Sequence, residues 1–321
     1  MDPLFASKYP FSKEAREFVS SRNVNLNYDT IERAKRRVMN ALKQGSIPPL
    51  ETKVKSGLEN EVASYAVSRM IVSLIKSRFF MSRYAIAEAK RASHYLREDS
   101  EENIMRIARE LSMSVRLDGD YSIHFSDYLK YSPRSVDYKL VNRRLGDGNV
   151  YLKRNEFIRV IEEAIKMMLY SQLPLKVDPV PEEIRKVADE VRKQLPREEV
   201  LFVSPVRGEE NYPPCIRKMI GDLRASLNVP HTGRWALAVY LNNIGVKTDE
   251  IVNLFASAPD YDERVTRYQV EYAKKRGYKM PTCLSMDSYG LRINECPCIM
   301  DKRIKTPLQV KGGAFVGRRT A

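Results

Sequence analysis

Cysteine is scarce in this chain of 321 residues: Cys215, Cys283, Cys296 and Cys298 are the only four, and all lie in the last third. Tryptophan occurs once and histidine three times. No apolar run reaches the roughly 18 residues needed for a membrane-spanning helix. The opening stretch, MDPLFASKYPFSKEAREF, has no signal-peptide h-region. These absences predict a soluble, intracellular protein with no membrane partner, in a compartment where thiols stay reduced. No G-x-x-x-x-G-K-[ST] loop for triphosphates is present, and no Ser-His-Asp or Cys-His arrangement stands out. The nearest approach to a metal-binding carboxylate pair is Asp260-Tyr-Asp262. With Glu263 directly after it, that group reads as a helix cap, because acidic side chains complement the first turn of a helix. No catalytic residue is predicted.

What is present is apolar material and positive charge. At 43% hydrophobic residues the chain can bury real cores, and its length exceeds the size at which single cores stop growing, so two domains are expected. The formal charge is +14. Residues 211–321 hold 18 Lys and Arg against 10 Asp and Glu. A surplus of that kind attracts polyanions; the alternative is a merely solvated surface. Pro196, Pro205, Gly208, Pro213 and Pro214 punctuate a stretch with little periodicity, which predicts a linker over 200–212 and a division into 1–208 and 209–321.

The first domain reads as mainly helical, of the α+β class. Asp29 and Glu32 resemble a capping pair for a helix ending near Gly45, 57–95 is one long helical stretch, and Ser100 caps the next helix. Val115–Leu117, Tyr121–Phe125 and Val150–Leu152 read as strands, with Gly146-Asp-Gly148-Asn149 as a turn, giving a small antiparallel element. Asn155 is expected to cap a helix to about Tyr170, and Pro181 to open a last one.

In the second domain Cys215 opens an amphipathic helix bearing Arg217 and Lys218. Pro230-His231-Thr-Gly233-Arg234 reads as a loop before a helix from Trp235 to Gly245, where a His and an Arg around free backbone N–H groups could grip a phosphate. Thr248-Asp249-Glu250 is expected to cap a third helix. Tyr268, Tyr272, Lys274, Lys275, Arg276 and Tyr278 interleave rings with positive charge, the composition of a single-strand site or of a solvated helix end. The four cysteines are separated by 68, 13 and 2 positions, without the two local hooks of a zinc ribbon. From the residues alone a shared zinc or iron–sulfur site, unrelated buried thiols and a disulfide all remain open.

Several motifs together resemble the large subunit of archaeal and eukaryotic DNA primase. They are His124-Phe-Ser-Asp-Tyr-Leu-Lys130, Tyr138-Lys-Leu-Val-Asn-Arg143, Gly148 and Val150 in the first domain. In the second they are Cys215, Pro230-His-Thr-Gly-Arg234, Gly245-Val, Tyr278-Lys-Met-Pro-Thr-Cys283 and Tyr289-Gly-Leu291. The resemblance covers most of the chain. It implies a helical first domain, with a small β element, that binds the catalytic small subunit in a heterodimer, and a helical second domain holding one [4Fe–4S] cluster through Cys215, Cys283, Cys296 and Cys298. It further implies that His231 and Arg234 meet the 5′-triphosphate end of the initiating primer and the nearby template; Arg217, Lys218, Tyr268, Lys274, Lys275, Arg276 and Arg292 are expected, from their charge or rings, to contact nucleic acid or nucleotide. Such a subunit is regulatory, and the carboxylates of RNA primer synthesis lie in the small subunit. Two departures stand out. Pro230 replaces a basic residue common in eukaryotic relatives, and Arg292 follows Tyr289-Gly-Leu291 where many archaeal relatives place a cysteine. Cys296 is then the substitute third ligand, the one most open to replacement, and Cys298 the fourth. A glycosylase-type DNA repair protein and a zinc-stabilised nucleic-acid adaptor are the alternatives from other classes.

Overall fold

The computed structural model describes residues 2–21, 26–50, 54–133, 135–176, 178–195, 208–225, 227, 229–258, 261–311 and 314–315. The chain divides into two compact units, Met1–Pro133 with Tyr138–Leu195, and Arg134–Asp137 with Pro196–Ala321. Residues 200–207 of the expected linker lie outside the described residues, as does Asp260.

The first unit contains α1 (Pro3–Lys8), α2 (Lys13–Ser21), α3 (Tyr28–Gln44), α4 (Lys55–Ile75), α5 (Arg78–Glu98) and α6 (Glu101–Glu110). It continues with β1 (Val115–Asp118), β2 (Asp120–His124), α7 (Phe125–Tyr131), β3 (Arg144–Gly146), β4 (Asn149–Leu152), α8 (Arg154–Ser171) and α9 (Glu182–Arg192). The mainly helical α+β reading therefore holds. Helix starts differ in detail. Asn27, not Asp29, caps α3 by accepting from Thr30 N–H at 2.8 Å, and Asp29 sits in the first turn paired to Arg33 at 2.8 Å. The helical stretch over 57–95 is two helices, because Lys76 turns left-handed (φ 58°) and Ser77 recaps the chain on Phe80 N–H. Asn155 does not cap α8; the Glu156 carboxylate reaches back to Lys153 N–H at 2.9 Å one turn earlier. Pro181 is the N-cap of α9 rather than its first residue.

Helix α5 is buried on nearly every side, from Phe79 to Leu96. Its buried charged residues Arg83, Glu88 and Arg91 each have a partner. Glu88 takes a two-pronged bond from Arg37 at 2.6 and 2.7 Å, and Glu61 receives Arg37 at 2.5 Å and Arg91 at 2.7 Å. Arg83 donates to Leu42 O at 2.6 Å and Ala41 O at 3.1 Å, satisfying carbonyls at the end of α3. The sheet is antiparallel, in the order β1-β2-β4-β3. Asp147 and Gly148 both have positive φ, 49° and 73°, which is the type I′ turn that suits the twist of a two-residue hairpin. Tyr121, Ile123, Val150 and Leu152 face the core, where Tyr121 stacks on Phe157 of α8 at 4.6 Å. Strand β3 is an addition to the expected pattern.

The second unit contains α10 (Pro214–Arg224), α11 (His231–Asn243), α12 (Thr248–Phe255), α13 (Glu263–Lys275) and α14 (Cys283–Ser288). A two-stranded ribbon, β5 (Val310–Lys311) with β6 (Ala314–Phe315), follows, and residues 312–313 and 316–321 of the expected tail lie outside the described residues. Thr248-Asp249-Glu250 is the first turn of α12, whose N-cap is Lys247 without a side-chain bond. Asp262 does cap α13, accepting from Val265 N–H at 2.9 Å. One core joins α10, α11 and α12 to Val270, Ala273, Met280, Met286 and Leu291, and Cys215 and Cys296 lie inside it.

Candidate functional site

Three segments carry the sulfurs. Pro213 and Pro214 start α10, since proline is pre-shaped for a first helical turn, and Cys215 follows in that turn, buried. Thr282 caps α14 through Ser285 N–H at 3.1 Å. That places Cys283 first in the helix, its N–H donating to Lys305 O at 2.7 Å. Cys296 donates its N–H to Ile293 O at 3.0 Å and accepts from Ile299 N–H at 3.1 Å, closing a tight turn over Pro297. All four are free thiols; Cys283 and Cys298 are half-buried.

The sulfurs converge as two pairs, Cys215 with Cys296 and Cys283 with Cys298. The hydrogen bond with Cys215 pulls Cys296 down to about 6 against the effect of burial. The same bond, with burial, pushes the Cys215 thiol up. Burial and Cys298 push Cys283 up to about 12. Among the described residues no three His, Cys, Asp or Glu side chains stand at the spacing of a single metal ion. Cys215, Cys283, Cys296 and Cys298 stand as two thiol pairs, soft donors of the kind that an iron–sulfur cluster or a structural zinc takes.

His231, Thr232, Gly233 and Arg234 are not a loop: they form the first turn of α11, with Pro230 as N-cap. His231 is exposed and Arg234 half-buried. Gly233 is buried, and a Cβ there would come within 2.9 Å of Val229 Cγ1 and 3.1 Å of Leu291 Cδ2. A side chain would thus hold the start of α11 off Leu291, five residues before Cys296. The glycine serves this close approach, with His231 exposed before it and Arg234 half-buried after it.

The residue after Arg234 extends the site. Trp235 meets Tyr278 edge-on at 5.9 Å, Tyr278 meets Tyr272 at 6.3 Å, and Tyr272 stacks with Tyr268 at 5.9 Å and 25°. Tyr268 is 65% exposed. Arg276 lies 5.2 Å above Tyr272 and donates to its hydroxyl at 3.1 Å. Lys274 and Lys275 are exposed at the end of α13. The i,i+4 spacing of Tyr268 and Tyr272 was legible as one helix face. Trp235, more than thirty positions away, carried no local signal and joins the rings only through the packing of α11 against α13.

The other expected contacts lie elsewhere. Arg217 and Lys218 are exposed on α10, with Lys218 bonded to Asp222 at 3.1 Å. Arg292 is paired to Asp287 at 2.9 Å, and its charge is a minor influence lowering Cys283 and Cys296.

Residues 207–314 match the family model for the C-terminal domain of the large subunit of eukaryotic and archaeal DNA primase. Over 312 residues the chain is 34% identical to DNA primase large subunit PriL of Methanocella arvoryzae, covering 90% of this chain and 83% of that protein. It is 33% identical over 339 residues to PriL of Methanococcoides burtonii, covering 96% and 91%. It is 37% identical over 259 residues to PriL of Archaeoglobus fulgidus, covering 76% and 66%.

Proposed function

The chain belongs to the family of archaeal and eukaryotic DNA primase large subunits, with a part in DNA replication, and on that premise we propose that it holds template and the 5′ end of the primer for a catalytic small subunit. Family membership sets the DNA-repair alternative aside. The observation that carries the reading is the continuity of two features: the first turn of α11 contains His231 and Arg234, and the next residue, Trp235, begins a series of four rings, the third of which, Tyr272, lies under Arg276.

Each part has a physical role. The start of a thirteen-residue helix offers unsatisfied N–H groups and the positive end of its dipole to an anion. Arg234 adds a fork suited to phosphate oxygens, and His231 a second donor. Exposed ring faces accept bases by stacking, worth roughly 1–3 kcal/mol per base, while Lys274, Lys275 and Arg276 follow the backbone. Together these orient the first nucleotide and template, which lowers the barrier to the first bond by positioning. The first unit would attach the small subunit, where the metal-binding carboxylates act. Cys215, Cys283, Cys296 and Cys298 would hold a [4Fe–4S] cluster, which when bound supplies a cross-link between three chain segments and one-electron redox chemistry.

The test uses the copurified two-subunit enzyme. His231→Ala with Arg234→Ala is expected to impair initiation from nucleoside triphosphates at least tenfold more than extension of a preformed primer lacking the triphosphate. Equal loss in both assays rejects the proposed phosphate contact.

A further inference from the structure

Helix α11 meets Tyr278 at two points along one ridge. Trp235, Val239 and Asn243 follow one another at a spacing of four residues, which aligns them on one face of the helix. At one end of that row the Trp235 ring meets the Tyr278 ring edge-on at 5.9 Å. At the other, the exposed Asn243 donates from Nδ2 to Val239 O at 2.8 Å and to Tyr278 O at 3.2 Å. A side-chain amide nitrogen carries two hydrogens, one for each bond, and the bond to Val239 aims the other across the 35 positions to Tyr278. Asparagine is a poor helix former in mid-helix but suits this last position, where its side chain reaches backbone outside the helix. Tyr278 is held from the opposite side by the end of α13. Gly277 turns left-handed (φ 58°). Its N–H donates to Lys274 O at 3.0 Å and Tyr278 N–H to Ala273 O at 3.3 Å, the two bonds of a Schellman ending. Tyr278 is thus tied to α13 through its N–H and to α11 through its carbonyl, and its ring, 38% exposed, links Trp235 to Tyr272.

We propose that Asn243 is a positioning residue for nucleic-acid binding: its bond to the Tyr278 carbonyl sets the Tyr278 ring between Trp235 and Tyr272 and so keeps the stacking surface continuous from α11 to α13. This rests on the reading of the four rings as a surface for single-stranded nucleic acid. Asn243 touches neither base nor phosphate in this assignment; it acts through Tyr278. The argument is one of populations. Without the tether the Tyr278 carbonyl turns more freely and carries the ring out of line with its neighbours. A surface whose binding-competent form is only partly populated binds more weakly by that fraction. A hydrogen bond of ordinary net worth biases such a population by about fivefold. Asn243 is neutral, so its replacement leaves the release of counterions from the nucleic acid as it was. Affinity and salt dependence therefore separate a residue that positions a ring from one that contacts a phosphate.

The test is a double-mutant cycle of N243S and Y278L in the full-length chain copurified with its small subunit, with an oligothymidylate as the probe. Serine can still bond to Val239 O, is too short to reach Tyr278 O, and changes no charge. N243S is expected to bind the oligothymidylate about fivefold more weakly than wild type, with an unchanged salt slope. In the Y278L background N243S should add no further loss, because the residue it acts through is gone. Wild-type affinity in N243S overturns the proposal, as does a loss that simply adds to that of Y278L. A weaker N243S with a flatter salt slope makes Asn243 a phosphate contact and overturns the positioning role. Y278L separates the two levels of the argument. Wild-type affinity in Y278L overturns the stacking surface and the proposal with it, whereas loss in Y278L beside wild-type affinity in N243S overturns the proposal alone. If N243S lowers the melting of the second unit, N243Q, which restores both donors, decides. Recovered affinity in N243Q supports the tether, and affinity as low as that of N243S overturns it.

Discussion

At the residue scale, the buried charges of α5 show what a single side chain must satisfy. Glu88 lies in the interior with both oxygens engaged by Arg37. Removing one partner of such a pair leaves an uncompensated charge, at a cost of about 3–5 kcal/mol. Glu88→Ala is accordingly expected to lower the denaturant midpoint of the first unit sharply, read by amide exchange in α3 and α5. Glu61 gives a pH dependence. Burial alone pushes its carboxyl up, but Arg37 and Arg91 outweigh it and hold the group below its usual value of 4.5. A carboxyl depressed in the folded state contributes stability above its unfolded value and loses it as pH falls through the folded one. Wild type should therefore lose stability below about pH 4.5, and Glu61→Gln, less stable at neutral pH, should show a shallower acid decline in urea titrations. In the second unit, Cys283→Ser should abolish visible absorbance and destabilise that unit more than the first, because ligand binding and folding are coupled. Retained absorbance with unchanged melting would remove Cys283 from the site.

At the element scale, helix ends and turns carry the information. The Asp147–Gly148 hairpin could be read directly, because two positive φ values demand such residues. Cap positions were less legible. Asn27 and Asp29 both suit a cap, and which one serves depends on where the chain enters α3. At α8 the long reach of Glu156 does the work expected of Asn155. Around α11 the expected loop proved helical since Gly233, a poor helix former in isolation, is fixed by contact with Val229 and Leu291. Gly233→Ala is expected to cost about 1–3 kcal/mol through overpacking. It should weaken phosphate-dependent initiation as well, although it removes no charged group. Unchanged melting and initiation would show that the neighbours yield without cost.

At the scale of the whole molecule, charge and division into units set the behaviour. The +8 balance of residues 211–321 predicts an affinity for single-stranded DNA that falls steeply with salt, with a log–log slope reduced by less than about one for each contacting lysine or arginine removed. Lys274→Ala with Lys275→Ala is expected to flatten that slope and to leave the melting of both units unchanged. A slope equal to that of wild type would place the nucleic acid elsewhere.

Composition, spacing and motif order by themselves determined the mainly helical class, the antiparallel element, the concentration of thiols and positive charge in the last third, and the family. These follow from local rules: periodicity, turn chemistry and the residue types a family retains in order. Tertiary structure decided what lies beside what. It paired Cys215 with Cys296 across a long separation in sequence, brought Trp235 to the end of the tyrosine series, and set Arg292 against Asp287. No local rule specifies such neighbours, because each results from burying whole helix faces in one shared core, and a side chain's charge or ring acts on whatever that packing brings within a few ångströms.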